Sequence, residues 1–198
     1  YAVTLDSTTL ANGSHNLVAK AYDAANNVGT SSTVAFSVSN TSTATQLIVN
    51  GGFESGAVNW TTSSGVITNS STYAAHGGTW KAWLGGYGSA HTDYAFQPVT
   101  IPATATKATL TLWLRVDSSE TTTTGVYDTL KVQLRSTANA ILATLGSYSN
   151  LNKGTSYVQR TFDLTAYKGQ TVRVDFEGVE DASLATSFLV DDVSVTSQ

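Results

Sequence analysis

The chain has 198 residues, of which 12% are charged, and its net charge is −4 at pH 7. The ten basic residues are scattered, whereas a nucleic-acid-binding surface needs a basic patch, so no nucleic-acid partner is expected. The absence of cysteine excludes disulfides, zinc–thiolate sites and cysteine nucleophiles, and no apolar run is long enough for a bilayer, so no membrane partner is expected.

Residues 1–40 predict short strands separated by turns, because residues 16–22 and 33–38 alternate in polarity. The stretch resembles the C-terminal half of bacterial immunoglobulin-like repeats, which implies a partial β-sandwich. A complete domain of that kind needs about 100 residues, so we expect a half-sandwich that begins inside a domain of a longer protein. Its strand edges would stay open, which predicts packing on the rest of the chain or self-association.

Residues 41–46 are polar and aperiodic, and they predict a linker. From residue 47 to residue 198 the chain shows closely spaced strand candidates with alternating polarity and no helical pattern. This spacing is typical of an all-β, two-sheet antiparallel sandwich, and we predict a jelly roll for residues 47–198.

Alternation also assigns side chains to faces of the predicted sheets. In residues 110–116 the Leu and Val side chains share one face, which leaves Trp113 and Arg115 on the other. The same rule directs Trp83 away from the core. It also places two further outward sets, Lys131, Gln133 and Arg135 on one strand, and Arg173, Asp175 and Glu177 on another.

Two phrases stand near the ends of the second domain: residues 50–56 read Asn-Gly-Gly-Phe-Glu-Ser-Gly, and residues 188–195 read Phe-Leu-Val-Asp-Asp-Val-Ser-Val. With the strands between them, they resemble the β-jelly-roll carbohydrate-binding modules of secreted bacterial hydrolases, especially of the family 4, 9 and 22 type. Residues 82–87 and 162–171 resemble the C-terminal domains that follow immunoglobulin-like repeats on secreted peptidases and polysaccharide hydrolases. The resemblance implies a secreted accessory module without catalytic residues.

The resemblance also implies a structural Ca²⁺ ion. Its ligands would be the carbonyls of Gly52 and Trp80 and the carboxylates of Glu54 and Asp191, since calcium takes six to eight oxygen ligands. His76 and Gly77 stand where the resembled modules often carry an acidic residue, which predicts a weaker site or an additional water ligand. The alternative is that both carboxylates cap turns by accepting backbone hydrogen bonds. A further acidic group, Asp128, Glu180 and Asp181, is open to the same two interpretations.

Sugar rings stack on exposed aromatic faces, and sugar hydroxyls need side chains with several donors or acceptors. The outward residues of that chemistry are the predicted ligand-binding set: Trp83, Trp113, Arg115, Gln133 and Arg135. The alternative is that both tryptophans lie under a loop while the charged residues form a cross-strand ladder.

Two functions therefore remain open. The first is polysaccharide binding, which would tether the catalytic domain of a secreted hydrolase to its substrate and raise its effective concentration there. The second is a calcium-dependent structural or secretion-associated domain of a secreted peptidase with no glycan ligand, or with a protein substrate as its attachment partner.

Overall fold

A computed structural model describes residues 2–40 and 44–198. Contacts between Cα atoms divide the chain into two compact units, Tyr1–Thr43 and Ala44–Gln198. Residues 41–43 of the predicted linker lie outside the described residues. Its last two residues, Thr45 and Gln46, form a short strand of the second unit instead of continuing the linker. The Gln46 side chain explains this, because its Oε1 atom accepts hydrogen bonds from the backbone of residues 47, 48 and 195.

The first unit contains two separate antiparallel pairs. Strand β1 (Gly13–Leu17) pairs with β4 (Val34–Val38), and β2 (Lys20–Tyr22) pairs with β3 (Val28–Thr30). Among the described residues of this unit, Val38 is the one buried hydrophobic side chain. The unit therefore has open strand edges and little core, while its likeness to an immunoglobulin-like repeat stays a prediction.

The second unit is built from eleven strands. In chain order they are β5 (Thr45–Gln46), β6 (Thr61–Thr62), β7 (Ile67–Thr68), β8 (Lys81–Gly85), β9 (His91–Thr100), β10 (Ala108–Ser118), β11 (Thr129–Ser136), β12 (Ile141–Ser149), β13 (Val158–Asp163), β14 (Thr171–Glu180) and β15 (Thr186–Ser197). Among the residues described, helical structure is confined to 3₁₀ turns, and no helix is long and apolar enough to cross a membrane.

The strands form two antiparallel sheets. The six-stranded sheet has the order β13-β10-β15-β8-β7, with β5 added beside β15, and the five-stranded sheet has the order β12-β11-β14-β9-β6. The predicted all-β, two-sheet antiparallel sandwich is thereby confirmed.

The inner faces of the two sheets form one hydrophobic core, as the alternation predicts. On β10 the apolar residues at every second position are buried, and β11 does the same with Leu130, Val132 and Leu134. Burial of a leucine side chain contributes about 1.5–3 kcal/mol. The polar residues between them therefore point to the outer faces, where a ligand could reach them.

The phrase at residues 50–56 has a structural reason. The Asn50 side chain donates to two carbonyls in residues 56–58 and accepts from the Ser55 N–H, which closes the loop. Gly51 packs against the last strand so closely that a Cβ atom there would lie 1.8 Å from the carbonyl oxygen of Val193. Asparagine and glycine are therefore required to join the first loop to β15.

Strand β15 contains a β-bulge opposite β10, between the partners of Thr111 and Trp113. Asp192 is the extra residue, and its φ of 45° lies in the left-handed region. Asp191 before the bulge points outward, opposite Trp113, and Val193 after it is buried in the core. The bulge places two carboxylates in succession in the middle of β15.

Candidate functional site

The first predicted carboxylate ligand, Glu54, reaches the outer loop, which we define as residues 69–80 between β7 and β8. Its carboxylate accepts hydrogen bonds from the N–H groups of Thr79 and Trp80, at 2.9 and 2.8 Å, and from the Thr79 hydroxyl. These donors, the Trp80 N–H first, lower the pKa of Glu54. The neighbouring Gly78 has φ 63°, and a Cβ atom there would lie 2.3 Å from the Glu54 carboxylate.

The second predicted carboxylate ligand, Asp191, reaches the same loop from the other end of the sequence. Its Oδ2 atom accepts from the N–H groups of His76 and Gly77, at 2.8 and 3.1 Å. Its Oδ1 atom accepts from the N–H of Asp192. Asp191 is fully buried, and this burial raises its pKa to about 6. Glu54, from the loop before β6, and Asp191, from β15, therefore both bind the backbone of the outer loop.

A buried cation lies near this carboxylate. The Lys81 side chain is fully buried, and its Nζ atom donates to the carbonyl of Ser70 at 2.8 Å. Burial lowers the pKa of Lys81, and the negative charge of Asp191 opposes that shift. The outer loop is thus held to β8 and β15 by buried polar contacts.

The donor set around these carboxylates bears on calcium binding. A carboxylate has about four lone-pair sites, and Glu54 and Asp191 each already accept three hydrogen bonds. Over the described ranges, no group of three or more His, Cys, Asp or Glu side chains could hold a metal ion. An ion would therefore depend on one oxygen from each carboxylate together with the carbonyls of Gly52 and Trp80. The visible role is turn capping, and calcium stays a prediction.

The second acidic group also caps turns. Asp128 is fully buried and accepts from the Asp181 N–H at 2.9 Å and from the Thr186 hydroxyl. Glu180 accepts from the N–H groups of Tyr87 and Thr186. These bonds join the loops at one end of the sandwich. They agree with the interpretation that this acidic group caps turns.

The structure does not bring the five predicted ligand-binding residues together. Trp83, Trp113 and Arg115 lie on β8 and β10, on the outer face of the six-stranded sheet. Gln133 and Arg135 lie on β11, on the outer face of the five-stranded sheet. The two sheets enclose the core between them, so the two groups are on opposite sides of the sandwich. Alternation could not reveal this because it does not order the strands.

The two tryptophans are packed beneath the outer loop. Tyr73 of that loop meets Trp83 edge to face, with ring centroids 5.0 Å apart. His76 stacks on Trp113, with ring centroids 3.9 Å apart and an interplanar angle of 17°. This arrangement matches the alternative in which both tryptophans lie under a loop.

Arg115 also lies beneath the outer loop. Its Nη2 atom contacts Asp117 at 3.3 Å, and its guanidinium lies 5.3 Å from the centre of the Tyr73 ring. The Tyr73 hydroxyl donates to Asp117 at 2.8 Å, and Leu189, on the neighbouring strand, is fully buried. The outer face of the six-stranded sheet is therefore a second packed layer.

The five-stranded sheet carries an open groove on its outer face, with a cavity volume of about 400 Å³. Its lining residues are Thr61, Thr92, Tyr94, Phe96, Arg135, Asn139, Arg173, Asp175 and Glu177. The strand register arranges them in rows across β9 and β14, because Glu177 lies opposite Tyr94 and Asp175 lies opposite Phe96. Directly opposite side chains on one face are close neighbours.

The charged residues of this groove form one connected network. Asp175 accepts from Arg173 at 2.7 Å and lies 3.5 Å from the Nε atom of Arg135. Arg135 also pairs with Glu177 at 2.8 Å and donates twice to the side chain of Gln133. Burial raises the pKa of Asp175, and both arginines oppose that shift. The network fixes the polar groups before any ligand arrives.

Two aromatic residues line the groove, and they differ in accessibility. Tyr94 is 42% exposed. Phe96 is partly buried, and the guanidinium carbon of Arg173 lies 3.4 Å from its ring centre. The two ring centroids are 6.2 Å apart with an interplanar angle of 28°. Tyr94 therefore offers the open aromatic surface of this face.

Neither Tyr94 nor Phe96 belongs to the predicted ligand-binding set, and the polarity of their strand explains why. Residues 92–100 alternate strictly between outward and buried positions in β9. The buried positions include the polar Asp93 and Gln97, however, so the face rule applied to the sequence would have directed both aromatic rings inward. Arg173, Asp175 and Glu177 on β14 were predicted to point outward, but the predicted ligand-binding set contains none of them.

No protein-family model matches the chain, and no curated protein matches it. Among solved structures, the family 61 carbohydrate-binding module TmCBM61, in complex with β-1,4-galactotriose, is similar at 13% identity with a TM-score of 0.55, over 78% of this chain and 99% of that one. The K3 cleaved adhesin domain of Lys-gingipain from Porphyromonas gingivalis W83 is similar at 16% identity with a TM-score of 0.53, over 76% and 99%.

A further similarity is to carbohydrate-binding modules of the β-sandwich superfamily, at 14% identity with a TM-score of 0.51. It covers 93% of this chain and 74% of that one. At such identities the likeness concerns the fold, and function has to be argued from the site. The chain contains a β-sandwich of the type found in carbohydrate-binding modules.

Proposed function

We propose that the second unit is a glycan-binding module and that its ligand lies in the groove of the five-stranded sheet. The observation that carries this proposal is Tyr94, an exposed aromatic ring beside the carboxylate of Glu177 in a groove of about 400 Å³. An aromatic face binds the apolar side of a sugar ring, while neighbouring polar groups bind its hydroxyls.

The ion-pair network supports this function because it holds the polar groups in place. Arg135 is partly buried and donates hydrogen bonds to three side chains, those of Gln133, Glu177 and Asn139. A preorganised site loses less side-chain entropy when a ligand binds. The groove can therefore hold a hydroxyl-rich ligand without first ordering its own residues.

The wider biological role is part of the same proposal. We infer a non-catalytic, secreted accessory module that tethers the catalytic domain of a bacterial hydrolase to polysaccharide. Two observations support it: the fold is that of carbohydrate-binding modules, and Asp128 caps a turn while Glu177 pairs with an arginine. A tether raises the concentration of the enzyme at its substrate without any catalytic residue of its own.

Affinity electrophoresis across soluble cellulose derivatives, xylan, mannan, β-glucan and galactan tests the proposal. The decisive variant is Tyr94→Ala, and its matched control is Tyr127→Ala, since Tyr127 is also about half exposed but lies outside the groove. We expect one polymer to retard the protein and Tyr94→Ala to lose about tenfold in affinity, in the range measured for aromatic contacts. If no polymer retards a folded protein, the glycan proposal is wrong.

A second function is favoured by one observation, the cover over Trp83 and Trp113. A domain that serves only as a structural or secretion-associated part of a peptidase has no need of exposed tryptophans. Attachment to a protein substrate is the related possibility. Binding of the intact chain to collagen or another protein polymer, unaffected by Tyr94→Ala, would favour this function over glycan binding.

Two further predictions stay part of the proposal. The first is a structural calcium ion at Glu54 and Asp191, where the outer loop meets β15. The second is self-association through the first unit, whose strands have open edges and exposed apolar residues such as Leu17 and Val34. Sedimentation of the whole chain between about 1 and 100 µM tests the self-association, because the fraction of associated chains rises with protein concentration. A monomer at every concentration would contradict self-association.

A further inference from the structure

The groove contains two arginines, a composition that by itself suggests an anionic ligand such as a uronic acid. Arg135, however, already uses four of its five N–H donors within the protein. Its Nε and Nη2 atoms donate to the Gln133 side chain at 3.0 and 2.7 Å, Nη2 also reaches Glu177, and Nη1 donates to Asn139 at 3.3 Å. Its side chain is 13% exposed. A ligand carboxylate would have to break these contacts to pair with it.

Arg173 also has partners within the protein. One nitrogen donates to Asp175 at 2.7 Å, and the guanidinium lies against the face of Phe96, 3.4 Å from its ring centre. Its Nε atom is buried and out of reach of a ligand. An arginine held by both a carboxylate and an aromatic ring is a poor bidentate partner for a second anion.

The two arginines are balanced by two carboxylates, and the four side chains differ in exposure. Arg135 and Arg173 are 13% and 15% exposed, and Asp175 is 3% exposed. The Glu177 side chain is 29% exposed and pairs through one of its oxygens. Lys131 lies opposite Glu177 on β11 but does not line the groove. The charge that a ligand meets first is therefore negative.

We propose that this groove takes a neutral glycan and rejects polymers of uronic acids. The inference rests on the proposed function and specifies its ligand class. Glu177 stands beside Tyr94, so a sugar stacked on Tyr94 would donate its hydroxyls to this carboxylate. A uronate at the same position would bring a second negative charge against Glu177, while Arg135 and Arg173 are already paired with the protein's own carboxylates.

Matched polysaccharide pairs that differ in charge test this inference. Suitable pairs are hydroxyethyl and carboxymethyl cellulose, and fully methyl-esterified homogalacturonan with its de-esterified form. Among pairs whose neutral member retards the protein, we expect at least about tenfold weaker binding of the acidic member, because like charges meet in the site. Raising the salt concentration should narrow this gap, since salt screens exposed charges.

Glu177→Gln identifies the residue responsible, and Asp163→Asn, which removes the same charge outside the groove, is its control. We expect Glu177→Gln to narrow the gap between neutral and acidic polymers and the control to leave it unchanged. A thermal melt establishes that each variant is folded. The comparison of neutral and acidic polymers with the wild-type protein does not depend on either variant.

Each outcome decides one of the two proposals. Equal or tighter binding of the acidic polymers, lost in Tyr94→Ala, would overturn the neutral-ligand inference and leave glycan binding intact. An unchanged gap in a folded Glu177→Gln would remove Glu177 as its cause. No binding to any polymer would overturn both proposals together.

Discussion

The two outer faces of the sandwich carry similar residues but differ in their accessibility to a ligand. Each presents aromatic rings, arginines and carboxylates on alternating strand positions. On the six-stranded sheet the outer loop covers them, so that Trp113 stacks on His76 and Arg115 is held by Asp117. On the five-stranded sheet the corresponding residues line an open groove. Composition and alternation thus identify side chains that leave the core, but a loop decides whether a ligand can reach them.

The largest effect is expected on the covered face. Trp113→Ala should destabilise the protein by about 2–4 kcal/mol, because it removes a partly buried ring and its stack on His76. Chemical denaturation measures this loss, and glycan binding at the groove should be unchanged. The comparison breaks down if Trp113→Ala keeps its stability and loses glycan affinity, which would make the covered face the binding face.

Calcium is the next effect in size, and it should also act on the covered side. If an ion joins Glu54 to Asp191, calcium at 100 times its dissociation constant should stabilise the folded state by about 2.7 kcal/mol. Thermal melts with calcium and with a chelator measure this, and Asp191→Asn should abolish the difference. If the melts are identical and native mass spectrometry finds no metal, the calcium prediction is wrong. The carboxylates of Glu54 and Asp191 would then serve only to cap turns.

A smaller effect sharpens the account of the groove itself. Phe96→Ala should lower stability by about 1 kcal/mol, because it removes the ring on which Arg173 rests. It should lower glycan affinity less than Tyr94→Ala, since the guanidinium already occupies the Phe96 face. Isothermal titration of both variants with the same oligosaccharide makes the comparison. A larger loss in Phe96→Ala would mean that Arg173 moves aside for the ligand.

The smallest effect concerns a turn that belongs to neither face. The Asp163 carboxylate accepts from the hydroxyl and the N–H of Thr165, and these bonds lower its pKa below 3.8. Its contribution to stability is therefore present above pH 3.8 and is lost as the pH falls through the lowered value. Asp163→Asn should melt slightly below wild type near neutral pH and approach it in acid. If the difference in melting temperature between wild type and Asp163→Asn grows as the pH falls, the predicted pH dependence is wrong.

The sequence predicted the architecture well because its signals are local. Alternation placed Leu110, Leu130 and Val174 in the core, and all three are buried. The site was harder, since a groove depends on which strands are neighbours and on where a long loop lies. Nothing in the spacing of Trp83 or Trp113 shows that residues 69–80 fold over them. The outward position of Tyr94 was equally hard to predict, since on its strand the polar Asp93 and Gln97 take the buried positions.

The bulge in β15 also has a meaning for changes in chain length. Asp192 is an extra residue, so deleting it would leave Val190 and Val193 facing the core and Asp191 facing outward. The core alone therefore gives no reason for its presence. What the insertion adds is a carboxylate that meets the His76 ring at 2.6 Å. Such a one-residue insertion lets the surface of a sandwich change while its interior keeps the same register.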